Sequence, residues 1–208
     1  MSTRGTFGTR IDGVDRLAYN HFDSYPNAFG AALVREFMTA LAEYGVMELA
    51  DLARSVRCVN NTDIVTEEEY EQHVDWIAYK GEYDSSLDWY GFLREVQGKI
   101  ISLLRAGIMA STHDFILDSL FCEWAYIFNF DDEVFEVYKG FQDAPHTNGR
   151  YADHCADRFT KERYTDGRPG GPPRYYPCAL VITFPLTKIP ADWVEQVEAL
   201  TKEDEEVF

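Results

Sequence analysis

The earliest alternation of apolar and polar positions in the chain predicts a β-hairpin. Residues 6–11 have the composition of a strand, and Asp12-Gly13 is a turn pair that typically joins two antiparallel strands. Residues 15–21 predict the returning strand. Pro26 ends this region, because proline lacks the backbone N–H that a strand ladder needs and disfavours helix just before it.

Five later segments repeat apolar residues every three or four positions, which is the period of an amphipathic helix. They are residues 30–44, 47–57, 66–77, 88–107 and 190–201. Gly45 separates the first two. Thr66 and Glu69 have the spacing of a capping box, so we expect a helix to begin there. Asp88 caps the longest apolar stripe, which we expect to form one helix that Gly107 ends.

Three further apolar segments predict strands. Residues 121–130 and 134–138 form a second hairpin around an Asp-Asp turn, and residues 179–184 form a later strand. The order of strands, helices, hairpin, strand and helix predicts a single α+β domain over residues 1–208. Its sheet is expected to be mainly antiparallel and packed by amphipathic helices.

Residues 140–177 form a long segment rich in proline and glycine, and such segments usually carry function or lack order. Six basic residues of this acidic chain lie here: Arg150, Arg158, Lys161, Arg163, Arg168 and Arg174. One interpretation is a lid over an anionic ligand. The other is that these charges neutralise their neighbours Asp153, Asp157, Glu162 and Asp166. An acidic tail, residues 202–208, is expected to fray.

Composition favours a folded, acidic protein. Apolar residues make up 46% and aromatic residues 15% of the 208 positions, which is enough for a sizeable core. The net charge of −17 disfavours nonspecific attraction to nucleic acid and to anionic membranes. It fits a solvated surface, or else a surface that imitates nucleic-acid phosphate and blocks a basic partner.

Cysteine usage favours the cytoplasm. Cys58, Cys122, Cys155 and Cys178 are widely spaced and include no C-x-x-C pair, which is typical of free thiols in a reducing compartment. The opening residues lack the apolar core of a signal peptide, and no window approaches the length of a membrane span. We therefore expect a cytoplasmic protein, and its oligomeric state stays open.

The first candidate site is His21 with Asp23, flanked by Asn20, Ser24 and Tyr25. On one strand face, the carboxylate would orient the imidazole for general acid–base catalysis. The alternative is that both residues tie down a turn by local hydrogen bonds. The sequence contains no Walker loop, Rossmann glycine pattern, H-E-x-x-H helix or kinase signature, which disfavours several common enzyme classes.

The amino terminus is a second candidate site. Ser2 is small enough for Met1 to be removed, and the free α-amine would then activate the hydroxyl of Ser2 or Thr3 as a nucleophile. Arg4 and Arg10 would stand on the same strand face and bind an anionic group. The alternative is an ordinary frayed start of the chain.

The third candidate lies in the long basic segment, where His146, Asp153, His154 and Cys155 are all residue types that bind metals. Their spacing matches no closed zinc pattern, and the adjacent His154 and Cys155 are awkwardly placed to bind one ion. We therefore expect no metal and no cofactor.

A family of uncharacterised proteins from bacteriophage and bacterial genomes resembles this chain in three stretches. They are Ser2-Thr3-Arg4-Gly5-Thr6-Phe7-Gly8, Tyr19-Asn20-His21-Phe22-Asp23-Ser24-Tyr25-Pro26 and Cys122-Glu123-Trp124-Ala125-Tyr126. The resemblance covers most of the chain. A phage origin implies an accessory role, such as disarming a host defence by binding or cutting its nucleotide messenger.

A more distant resemblance is to N-terminal-nucleophile hydrolases of the choloylglycine group. The chain shares with them a polar residue after Met1, then an arginine, then a hairpin that ends in Asn and Asp. In that group the second residue is a cysteine nucleophile, whereas here it is Ser2. The resemblance therefore implies the hairpin topology more than the mechanism.

The sequence predicts a protein that binds a small anionic ligand, such as a nucleotide, and leaves open whether the ligand is hydrolysed. In a hydrolase His21 would be the acid or base, Asp23 its orienting partner and Ser2 the nucleophile. The expected ligand contacts are Arg4, Arg10, Tyr19, Asn20 and Tyr25. The alternatives are an N-terminal-nucleophile amidohydrolase and an acidic DNA mimic that blocks a basic partner. Direct binding to nucleic acid or to a membrane is not expected.

Overall fold

The structure, a computed structural model, describes residues 3–154 and 175–203. Its strands are β1 (Gly5–Ile11), β2 (Val14–Asn20), β3 (Arg57–Val59), β4 (Ile108–Ala110), β5 (Trp124–Asn129), β6 (Val134–Lys139) and β7 (Ala179–Pro185). The main sheet has the order β2-β1-β5-β6-β7, and β3 pairs with β4 in a separate small sheet. Within the main sheet every neighbouring pair is antiparallel except β1 with β5. The predicted α+β fold with a mainly antiparallel sheet is confirmed.

The helices are α1 (Ala31–Ser55), α2 (Glu67–Ile77), α3 (Trp89–Leu93), α4 (Ile100–Ala106) and α5 (Trp193–Glu203). As predicted, Gly45 interrupts α1, since its φ of 79° and ψ of 164° are not helical. Thr66 and Glu69 form both bonds of the predicted capping box at the start of α2. Among the residues described, no helix has the length and apolar character needed to cross a bilayer.

The expectation of one helix from Asp88 to Gly107 is wrong. The chain breaks at Gly98, which has a left-handed φ of 82°, so α3 and α4 are separate helices. Asp88 still caps α3 by accepting the N–H of Gly91 at 2.8 Å, and Gly107 still ends α4. The apolar stripe is buried on both sides of the break: Trp89, Phe92, Leu93, Val96, Ile100, Leu103 and Leu104.

The apolar period of residues 190–201 predicts that Trp193, Val194, Val197 and Leu200 face inward, and α5 differs from this prediction. Trp193, Val197 and Thr201 are buried, whereas Leu200 is 42% exposed. The buried residues are four positions apart, so residue 201 rather than residue 200 faces the core. Thr201 can occupy it because its hydroxyl donates a hydrogen bond to the Val197 carbonyl at 3.1 Å.

The main sheet separates two apolar cores. Alternate residues of a strand point to opposite faces, and Phe7 and Phe128 pack with the helices on the larger face. Leu17 and Ile127 belong to a smaller core on the other face. Tyr19, two residues after Leu17 on β2, is therefore directed to this second face. Most of the polar residues discussed below lie there or at the ends of its strands.

Candidate functional site

The β1–β2 hairpin places Arg4 beside the end of β2. Both residues of its Asp-Gly turn have positive φ, which is the geometry of a two-residue hairpin. The resulting register pairs Gly5 with Asn20 and Thr6 with Tyr19. Arg4, directly before β1, is thus brought to the polar segment that follows β2.

Gly5 lets this segment pack directly against β1. A Cβ atom on Gly5 would lie 2.5 Å from the carbonyl oxygen of Trp124 and 2.8 Å from the side chain of Ser24. The Ser24 N–H donates to the Thr3 carbonyl at 3.1 Å, and the Tyr126 hydroxyl donates to the Ser24 carbonyl at 2.8 Å. Ser24 therefore fixes the loop after β2 against the sheet.

A hydrogen bond of 2.6 Å joins the Tyr19 hydroxyl to Nδ1 of His21. Burial raises the pKa of Tyr19, against the lowering effect of the Arg4 charge, so the hydroxyl keeps its proton at neutral pH. The Tyr19 ring also packs edge-on against Phe115 at 5.1 Å. In the tautomer in which Tyr19 donates to Nδ1, the neutral imidazole carries its proton on Nε2 and presents an N–H donor from an exposed residue. Tyr19 thus orients His21, in the role that we expected for Asp23.

His21 and Asp23 do not share a strand face, contrary to the expectation. The strand β2 ends at Asn20, and Asp23 has a left-handed φ of 51°. The Asp23 carbonyl accepts the N–H of Phe29 at 3.1 Å, and the Asn20 amide donates to Oγ of Ser24 at 2.8 Å. Asp23 therefore stabilises the turn, as the alternative interpretation proposed, together with Asn20, whereas the His21 side chain bonds to Tyr19.

The two arginines predicted to bind an anion lie in different environments. Arg10 forms ion pairs with Asp15 at 3.2 Å and with Asp131 at 3.7 Å. Arg4 lies over the ring of Phe121 at 5.1 Å, and its guanidinium forms no ion pair with any residue that the structure describes. Arg4 and Arg10 are six positions apart along an extended chain, a distance of roughly 20 Å, so one small ligand cannot contact both. Of the two, Arg4 is available for an anion.

Tyr25 lies at the outer end of the same loop. Its carbonyl accepts the N–H groups of Ala28 and Gly30 at 3.1 Å each, which fixes its backbone at the start of the π-helical turn Pro26–Gly30. The residue is 48% exposed. Its ring is therefore available to stack on an aromatic ligand.

The space behind Tyr19 is too small for an organic ligand. A cavity of about 20 Å³ lies there, and its lining includes Tyr19, Asn61, Tyr90 and Gln97. This volume suits one water molecule. A ligand at this end of the sheet would therefore lie on the surface, against exposed side chains.

A second polar cluster, which the sequence did not predict, lies at the start of β2. Arg150 donates to the carboxylate of Glu136 and, at 2.9 Å, to that of Asp15. The Tyr138 hydroxyl lies 3.0 Å from Nη1 of Arg150, and the Tyr151 hydroxyl donates to Asp15 at 2.8 Å. The available signal was Glu136, a charged residue within an otherwise apolar and aromatic strand segment.

The electrostatics of this cluster indicate a fixed ion network. Burial raises the pKa values of Tyr138 and Tyr151 far above the usual tyrosine value. Burial alone would lower the pKa of Arg150, but the hydrogen bond to Glu136 and the nearby charges raise it. Arg150 therefore stays charged and ties the start of the basic segment to the sheet. It neutralises acidic residues, as one interpretation proposed, although its partners lie in the first hairpin and in β6.

The predicted metal-binding residues are only partly within the described chain. Nε2 of His146 hydrogen-bonds with the Pro177 carbonyl at 2.8 Å, and Nδ1 accepts the Asn148 N–H at 3.2 Å. Within residues 3–154 and 175–203, no group of three or more His, Cys, Asp or Glu side chains is placed to hold a metal ion. Several predicted residues lie outside the described residues: Ser2, Cys155, Arg158, Lys161, Arg163, Arg168 and Arg174.

Comparison with known proteins adds no relative. No protein-family model, no curated protein and no solved structure matches the chain. A functional assignment therefore depends on the geometry around Arg4, Tyr19 and His21.

Proposed function

We propose that the protein binds a small anionic ligand, such as a nucleotide, on the surface formed by Arg4, Tyr19, His21 and Tyr25. We call this surface the hairpin-end site. The observation that carries the proposal is the state of Arg4, whose guanidinium forms no ion pair with the described residues of a chain with net charge −17. The nearby Glu123 carboxylate accepts the backbone N–H of Arg4 at 3.3 Å and interacts with its charge over a longer distance than an ion pair. An unpaired arginine beside an oriented imidazole is suited to an anion.

Each residue of the hairpin-end site has a distinct role in this proposal. Arg4 supplies the positive charge and the planar fork of donors that matches a phosphate. His21, held by Tyr19 through the 2.6 Å hydrogen bond, supplies an N–H donor. Tyr25 supplies an exposed ring for a base.

Binding is better supported than hydrolysis. Asp23, the expected partner of His21, lies in a left-handed turn and not on the strand face of His21. The nearby Ser24 is fully buried, and its hydroxyl oxygen accepts a hydrogen bond from Asn20, so it is a poor nucleophile. A hydrolytic role that uses Ser2, as in the N-terminal-nucleophile group, stays a prediction. In a phage-infected cell, binding alone would suffice to remove a nucleotide messenger.

Calorimetric titration with the four nucleoside 5′-monophosphates tests the proposal. Replacing Arg4 by Gln should weaken binding about tenfold or more, because a hydrogen bond to a charged group contributes ~1.5–3 kcal/mol. Replacing His21 by Ala should weaken it by several-fold without unfolding the protein. Arg94, an exposed arginine outside the site, provides the matched control, since Arg94→Gln removes the same charge.

Two outcomes contradict the proposal. One is no heat of binding for any of the four nucleotides with the wild-type protein, and the other is equal weakening by Arg4→Gln and Arg94→Gln. Chromatography of the titrated mixture decides between binder and enzyme. Product that forms with the wild-type protein but not with His21→Ala would favour the hydrolase.

A further inference from the structure

A groove between α1 and α4 has the size of a small-molecule site. Its volume is about 330 Å³, which lies within the ~300–1,000 Å³ typical of ligand pockets. Its polar and aromatic walls are formed by Arg35, Glu36, Thr39, Glu43 and Tyr44 of α1 and by Ser102 and Arg105 of α4. The groove shares no residue with the hairpin-end site.

Two arginines line the groove without a carboxylate partner. Neither Arg35 nor Arg105 forms an ion pair with any residue in the described part of the chain, although Asp and Glu outnumber Lys and Arg by 36 to 19. Among the other described arginines, four form ion pairs, namely Arg10 with Asp15, Arg54 with Asp12, Arg57 with Glu69 and Arg150 with Asp15, whereas Arg4, Arg16 and Arg94 form none. Two arginines without an ion-pair partner therefore line one groove.

Arg105 is held in place by two aromatic rings. Its Cζ atom lies 5.6 Å from the ring centroid of Tyr44 and 4.9 Å from that of Trp76. Contacts of this kind cover the faces of a guanidinium and leave the N–H groups at its edge free. Such an edge binds a carboxylate or a phosphate through two parallel hydrogen bonds.

We propose that this groove is a second binding site, for a small organic anion whose phosphate or carboxylate group is held by Arg35 and Arg105. Ser102 adds a hydroxyl donor, and the Tyr44 ring contacts the apolar part of the ligand. The proposal does not depend on the hairpin-end site.

Two carboxylates that line the groove, Glu36 and Glu43, limit its affinity for an anion. Oε1 of Glu36 accepts the Ile101 N–H at 3.2 Å, so this carboxylate lies against the start of α4. Burial raises the pKa of Glu36. A carboxylate with a raised pKa repels an incoming anion less strongly than an ordinary one does, but it still opposes binding when it is ionised. Replacing Glu36 by Gln, which keeps the acceptor for Ile101, should therefore tighten binding.

Tryptophan fluorescence provides a local readout of the groove. Trp76 is 49% exposed and contacts Arg105, whereas the other tryptophans are buried: Trp89 at 2%, Trp124 at 8% and Trp193 at 4%. Phenyl phosphate and benzoate serve as probes, because they differ in the anionic group and share a small apolar body. We expect at least one probe to change the emission of Trp76 with a dissociation constant below about 1 mM. The probe that binds more tightly shows whether the groove prefers a phosphate or a carboxylate group.

Four variants make the test specific. Arg35→Gln should weaken binding about tenfold, while the charge-matched control Arg94→Gln should change it by less than about twofold. Arg105→Lys should weaken binding roughly fivefold, because lysine keeps the charge but lacks the planar fork. Glu36→Gln should tighten it roughly threefold.

Three results would overturn the proposal. They are no response of the wild-type protein to either probe up to about 10 mM, equal weakening by Arg35→Gln and Arg94→Gln, and wild-type affinity in Arg105→Lys. Circular dichroism of each variant checks that the fold is retained. Any variant that loses the fold is replaced by Arg35→Lys, for which we expect weaker binding, and unchanged binding would likewise overturn the proposal.

Discussion

The backbone of Asp23 has a φ of 51°, in the left-handed region that aspartate and asparagine tolerate better than most residues. Its carbonyl group, rather than its carboxylate, accepts the N–H of Phe29. We therefore expect Asp23→Asn to leave ligand affinity within about twofold of wild type. Asp23→Val should lower the free energy of unfolding by ~1–2 kcal/mol, because a β-branched residue is strained in this conformation. Urea denaturation and calorimetry measure the two effects, and loss of binding in Asp23→Asn would restore Asp23 as a functional partner of His21.

His73 should make stability depend on pH. It is 6% exposed and packs against Trp89, and burial lowers its pKa. The pKa of His73 in the folded state lies below its unfolded value of ~6.5. As the pH falls below ~6.5, the unfolded state therefore binds more protons than the folded state, and the free energy of unfolding decreases. The urea midpoint should therefore be lower at about pH 5.5 than at about pH 7.5, and His73→Gln should reduce this difference. An unchanged difference in His73→Gln would contradict the assignment.

At the candidate site, the sequence predicted where the polar residues lie better than it predicted the hydrogen bonds between them. It predicted a cluster of polar side chains at residues 19–25, where the returning strand ends, and the structure has a turn directly after Asn20. It could not predict that Tyr19 rather than Asp23 orients His21, because residues 19, 21 and 23 would all share one face of a continued strand. The end of β2 at Asn20 and the left-handed φ of Asp23 remove Asp23 from that face.

At the scale of elements, the ion pairs of Arg150 with Asp15 and Glu136 hold the start of the basic segment against the sheet. Glu136 is 5% exposed, so Arg150→Met would leave a buried carboxylate without its charged partner. We expect a loss of ~3 kcal/mol in the free energy of unfolding, measured by urea denaturation. The double variant Arg150→Met with Glu136→Gln should lose less than the single one, because it removes the unpaired charge. Additive losses from the two substitutions would show that the pair is not coupled.

The elements that local pattern could not predict involve glycine conformation and distant pairing. The apolar stripe of α3 and α4 continues in register across Gly98, so periodicity gave no sign of the break. The strands β3 and β4 have three residues each, too few for a period-two pattern. The parallel pairing of β1 with β5 joins residues more than a hundred positions apart, and no local signal specifies such a partner.

At the scale of the whole molecule, the two proposed sites follow from charge balance. The chain has 36 acidic and 19 basic residues, so most arginines would be expected to find a carboxylate. Five of the nine described arginines nevertheless form no ion pair with the described residues: Arg4, Arg16, Arg35, Arg94 and Arg105. Arg4 belongs to the hairpin-end site, and Arg35 and Arg105 line the groove. Unpaired cations in a strongly acidic protein are the common physical basis of both proposals.

The central claim, an anion-binding surface at the end of the first hairpin, is tested most directly by ¹H–¹⁵N NMR of the protein titrated with adenosine 5′-monophosphate. We predict that the amide shifts cluster at Arg4 and at residues 19–25, and that they disappear in Arg4→Gln. Shifts confined to α1 and α4 would assign nucleotide binding to the groove instead. Such a result, or no shifts at all, would contradict the account of the hairpin-end site.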